Sequence, residues 1–166
     1  MEIRRGSKRL MIGLVIACGV VAVGSISILL VLRSWGGVAL EVDPGVIREI
    51  RGLGQVVGEV STGFTESDSI VVTDYVFLNV GDSSGPGALN SVSDSLREKG
   101  WSVVARPGYA TQWQTDRWAD TLLTVELIDK GKDFLDLDVE KAARDAMAKA
   151  GNPDRMLMAI VRRTDV

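Results

Sequence analysis

The chain has 166 residues, 19 Lys+Arg against 22 Asp+Glu, a net charge of −3 and no histidine. Its one cysteine is Cys18, so Ser-His-Asp and Cys-His nucleophilic sites, His/Cys zinc sites and internal disulfides are all excluded. The length suits one modest domain plus a further element.

Residues 1–9 form a basic tail with Arg4, Arg5, Lys8 and Arg9 against Glu2. Leu10–Leu32 comes next, 23 residues without a charge. As a helix it would be about 34 Å long, enough for a hydrocarbon core of ~30 Å. The sequence therefore predicts a transmembrane helix over 10–32. Val15-Ile16-Ala17-Cys18 offers an alternative, the small-residue-then-Cys pattern of lipid attachment at Cys18. Cleavage there would leave a long apolar stretch at the start of the mature chain, which favours the uncleaved span. Gly13, Ala17 and Gly24, with Ser27 nearby, share a helical face and suit close approach of a second membrane helix. The basic tail predicts a cytoplasmic amino terminus and a cell-membrane, single-pass protein with its carboxyl-terminal domain outside. Of the charged residues, five basic and one acidic lie at or before Arg33. The remainder carries 14 basic and 21 acidic residues, a net charge of −7. That balance argues against nucleic acid as a partner.

Residues 33–68 read as a glycine-punctuated neck. Asp43-Pro44 is a helix start, an Asp cap followed by proline at the first helical position. Val46, Ile47, Ile50 and Leu53 then recur at helical spacing, and Gly54 and Gly58 weaken the segment beyond them.

Residues 69–166 read as an α+β domain. Ile70–Val80 is rich in β-branched and aromatic residues and predicts a strand. A helix opens at Pro86 and closes at Gly100, with Ala88, Leu89, Val92 and Leu96 on one face. Trp101–Arg106 and Thr121–Asp129 predict two more strands. Asp138 is the expected cap of a second helix, whose stripe of small residues runs from Val139 to Ala150. Met156–Arg162 is the last strand. Strand, helix, strand, strand, helix, strand is the order of the ferredoxin-like (βαββαβ) fold, with both helices on one face of a four-stranded sheet.

No motif for a cofactor or metal stands out. The glycines before Ala88 lack the Gly-Lys-Ser/Thr of a phosphate loop, and Asp129–Glu140 lacks the ligand spacing of a calcium loop. Glu126, Asp116 and Asp120 are the nominees for a carboxylate-based hydrolase. The connection Pro107–Asp120 is longer than a hairpin needs and carries Tyr109, Trp113 and Trp118 among polar neighbours. These three are the expected partner-binding residues; the alternative is that the tryptophans fold back over the sheet. The expected function is a non-enzymatic, membrane-anchored interaction or accessory-subunit protein. Its partners would be the lipid bilayer and another membrane or envelope protein, or a second copy of itself. A tethered ligand- or cell-wall-binding module is the alternative.

Overall fold

The computed structural model describes residues 38–66, 69–81, 85–107, 109–128, 134–151 and 156–164. Among these residues three helices form where local chemistry starts and stops them. In α1 (Pro44–Arg51), Asp43 Oδ1 accepts the Gly45 N–H at 2.6 Å, and Val46 and Ile50, one turn apart, are buried. In α2 (Pro86–Glu98), Ala88, Val92 and Leu96 make the buried stripe at intervals of four. In α3 (Leu137–Ala150) the cap is Asp136 rather than Asp138: its Oδ1 accepts from the N–H groups of Asp138 and Val139. Gly151, at φ 69°, ends α3 in a backbone conformation that favours glycine.

The strands are β1 (Val38–Leu40), β2 (Gln55–Glu66), β3 (Ser69–Asn79), β4 (Ser102–Ala105), β5 (Ala110–Gln114), β6 (Thr121–Leu127) and β7 (Met156–Arg163). Among the described residues they make one seven-stranded sheet, in which β2-β3-β7-β6-β5-β4 follow one another as antiparallel neighbours. β2 pairs with β3 from Glu66↔Ser69 to Gln55↔Asn79, while β7 takes the other edge of β3 only from Thr73 to Asn79. β1 also pairs with β3.

This corrects the ferredoxin-like expectation on two counts. That arrangement would place β3 beside both β6 and β7. A strand has only two edges, and β2 occupies one of them along the whole of β3, so β7 inserts between β3 and β6. The helices also divide between the faces. α1 and α2 pack with Val76, Leu78, Leu123, Val125, Leu157, Ala159 and Val161 on one face. α3 packs with Phe77, Met156 and Met158 on the other. Successive residues of β3 and β7 thus feed opposite cores, as expected of central strands buried on both sides.

Gly58 seats α3. A Cβ at this position would lie 3.2 Å from Ala146 Cβ and 3.4 Å from the Phe77 ring. Gly58→Val is expected to cost about 1–3 kcal/mol by overpacking, read as a lower urea midpoint with an unchanged denaturant slope.

The membrane-spanning expectation is also corrected. Among the described residues no helix is long and apolar enough to cross a membrane. The longest of them, α3, has 14 residues and carries Lys141, Arg144 and Asp145 on its exposed side. At 1.5 Å per residue it is about 21 Å long, short of a bilayer core. The stretch 10–32 lies outside the described residues, and with it Gly13, Ala17, Cys18, Gly24 and Ser27. The architecture observed is a mixed α+β domain, and the predicted single-pass anchoring and sidedness are not supported by it.

Candidate functional site

The three aromatic residues of the 107–120 connection occupy three different environments. The segment holds a strand, β5, that the expected hairpin loop did not include. In β5 the alternation Ala-Thr-Gln-Trp-Gln turns Thr111 and Trp113 inward. Trp113 is 1% exposed and lies in register between Val103 of β4 and Leu123 of β6. The Arg97 guanidinium of α2 sits 5.7 Å from its ring centroid. Its Nε1 has no hydrogen-bond partner among the described residues.

Trp118 belongs to a 3-10 turn (Asp116–Trp118) and is half-buried. Its ring lies 6.0 Å from that of Trp101 and carries the Arg117 guanidinium at 4.1 Å. Glu49 of α1 closes this corner. Its Oε1 accepts the Trp101 indole N–H at 2.6 Å, and its Oε2 accepts from Arg117 Nη2 at 2.8 Å. Trp101 and Trp118 therefore fasten α1 to the end of the sheet. Tyr109 stands apart, 90% exposed between β4 and β5.

Among the described residues α3 covers only part of the sheet face on which it lies. α3 packs over β2, β3 and the start of β7, and among the described residues no helix lies over β6, β5 and β4 on that side. Register fixes two rows of side chains there. Gln112 of β5 opposes Thr124 of β6, which opposes Ile160 of β7. Leu122 opposes Arg162 in the next row, where Gln114 opposes Ser102 on β4. Gln112, Gln114 and Thr124 are half-buried, Ser102 and Arg162 are exposed, and Val104 is 49% exposed. At one corner Ser102, Val104, Gln114 and Asp116 line a depression of about 250 Å³. Amide and hydroxyl groups with a scattering of apolar surface suit a wet, adaptable protein contact. The sequence signal for this surface was the polar half of the β5 alternation, legible only once 110–114 is known to be a strand.

A second concavity, of about 400 Å³, lies between α1 and the β2–β3 ribbon. Pro44, Ile47 and Val72 give it an apolar lining, and Glu41, Arg51, Ser61 and Asp74 are its polar groups. Arg51 donates from Nε and Nη2 to the two carboxylate oxygens of Glu59, at 2.7 and 2.6 Å. That hydrogen bond, then the charge of Glu59, raises the pKa of Arg51. Ser61 Oγ donates to Asp74 Oδ1 at 2.5 Å.

Of the nominated hydrolase carboxylates, Asp120 and Glu126 do not converge. Asp120 pairs with Arg163 at 3.1 Å. Glu126 is six residues further along β6, about 20 Å at strand rise, beyond the ~5–9.5 Å that glycoside hydrolysis requires. Among the described residues no three of Asp, Glu, Cys or His are grouped to hold a metal ion.

The described residues form a three-layer α+β domain, a sheet with two helices on one face and one on the other. No family model, curated protein or solved structure matches the chain.

Proposed function

We propose that this domain is a non-catalytic binding module that engages another protein through the uncovered strands β4, β5 and β6. The carrying observation is the asymmetry of the α3 face among the described residues, where one helix covers β2, β3 and the start of β7, and β6, β5 and β4 present Thr124, Gln112, Gln114 and Ser102 in register. A sheet face without a covering layer is normally solvated or used for contact. The half-buried amides and hydroxyls beside Val104 offer both hydrogen bonds and apolar area. The separation of Glu126 from Asp120 weighs against the hydrolytic alternative.

A photo-crosslinking residue placed at Gln112 is expected to trap a partner in cells, and the same residue at Lys141 on the exposed side of α3 is not. Thr124→Arg should abolish the Gln112 adduct while costing no more than about 1 kcal/mol of stability, the span of strand propensities. Equal trapping at both positions, or an adduct that survives Thr124→Arg, would refute the assignment.

A second reading rests on the α1 cleft. With Glu59 held by Arg51, the Asp74 and Glu41 carboxylates favour a small ligand with a cationic group on an apolar body.

A further inference from the structure

The sheet ends in β2 on one side and β4 on the other, and the two differ in how well they are protected. β4 is four residues long, is interrupted by a bulge between Val103 and Ala105, and is followed by Pro107. Those are the usual devices against edge-to-edge pairing. β2 is 12 residues long and has no proline, lysine or arginine. Its one irregularity, between Val56 and Gly58, lies at its far end. Glu59 is already engaged by Arg51, and Val60 to Thr65 carries no charge. Among the described residues β2 pairs with β3 alone, so the backbone groups of its outer edge have no strand partner.

The α3 side of β2 also gathers exposed apolar surface. Val60, Thr62 and Phe64 point to that face, and Phe64 is 52% exposed. α3 follows β2 back from Ala146, against Gly58, toward Val139, which shares a cluster with Val60. Nine residues of helix cover about 14 Å, or about four residues of strand, bringing Leu137 near the level of Thr62. Leu137 is 79% exposed, and Leu135 just before it is fully exposed. Phe64, Leu135 and Leu137 are three of the five large hydrophobic residues that stand exposed among those described.

We infer that β2 is a self-pairing edge, through which two copies of the chain join antiparallel about a two-fold axis at Thr62 to make one continuous sheet. In that register Val60 faces the second copy's Phe64, Thr62 faces its own counterpart, Ser61 faces Gly63 and Glu59 faces Thr65. No like charges are opposed, and an aromatic–β-branched pair forms twice, a stabilising cross-strand combination. A strand from a different protein would also satisfy the backbone. Only a second copy brings Phe64 over Val60 on both sides of the axis and sets two exposed α3 starts beside each other.

The test uses the full chain with Cys18→Ser, so that the only thiol is the one introduced. Under copper–phenanthroline oxidation Thr62→Cys is expected to run as a disulfide-linked dimer on a non-reducing gel. Cα atoms opposed across an antiparallel pair lie about 4.5–5.5 Å apart, within disulfide reach. Ser102→Cys, on the other edge strand, is expected to stay monomeric. In analytical ultracentrifugation Thr62→Lys, which opposes two ammonium groups, should weaken the dimer about tenfold or more without altering the circular dichroism spectrum. No cross-link at position 62, equal cross-linking at 62 and 102, or a dimer unaffected by Thr62→Lys overturns the inference. So does a chain that stays monomeric alone and pairs only with a foreign strand. The disulfide arm decides the matter if the lysine variant fails to fold.

Discussion

Trp113→Ala is expected to lower the unfolding free energy by about 3–5 kcal/mol, the cost of a large aromatic truncated in a core. Trp113 heads the fully buried side chains by volume and fills the layer between α2 and the thin end of the sheet, with only β4 beyond it. Its neighbours Val103 and Leu123 are held in register by strand pairing, and Arg97 lies over its ring, so the site has little freedom to collapse. Trp113→Phe is expected to cost far less, under about 1.5 kcal/mol, because it keeps most of the volume. It also removes an indole N–H that has no partner among the described residues, and leaving such a donor buried is itself unfavourable. Urea unfolding of the two variants checks both values. A small loss in Trp113→Ala would mean that the residue is not the core element its burial indicates.

Glu49→Ala is expected to cost about 2–3 kcal/mol, because hydrogen bonds to a charged group contribute about 1.5–3 kcal/mol and their loss here strands the Trp101 N–H. The Glu49 side chain is only 12% exposed, so water replaces it poorly at Trp101, whereas Arg117 is 51% exposed and rehydrates easily. The two contacts should therefore separate. Glu49→Gln retains an acceptor for the indole and loses only the ion pair, a change of at most about 1 kcal/mol. Its deficit should shrink in 1 M salt, where the screening length is about 3 Å, while that of Glu49→Ala persists. Thermal melts at low and high salt make the comparison, and equal losses in both variants would show that the indole bond contributes little.

Much of the element order could be read from the chain. The Asp43-Pro44 start of α1, the Pro86 opening of α2 and the apolar runs that became β3, β6 and β7 all rest on local chemistry and recur in the structure. Two strands could not be read this way. Gly54 and Gly58 made 55–66 look like a broken neck, because a glycine that interrupts a strand and one that admits a helix look alike without the helix. In β2 the glycine at 58 is the contact point for Ala146. The five residues of β5 were hidden in a connection whose length and tryptophans pointed to a loop, and of the three aromatic nominees Trp113 faces the core, Trp118 clasps α1 and Tyr109 is exposed. Pairing order was beyond reach for a different reason. The position of β7 depends on β2 occupying one edge of β3, a non-local fact that no window of sequence contains.

The placement of β7 between β3 and β6 bears on how the protein is made. Among the described residues the two halves of the sheet meet only through Met156–Arg163, and β3 waits for this second partner until about eighty positions downstream. Such separation raises the entropy to be overcome before the pairing is rewarded, which slows folding. Until residue 163 has left the ribosome, the β2–β3 ribbon and the β4–β6 meander are two fragments with apolar flanks and no shared strand. A nascent chain stalled before that point would be a substrate for chaperones.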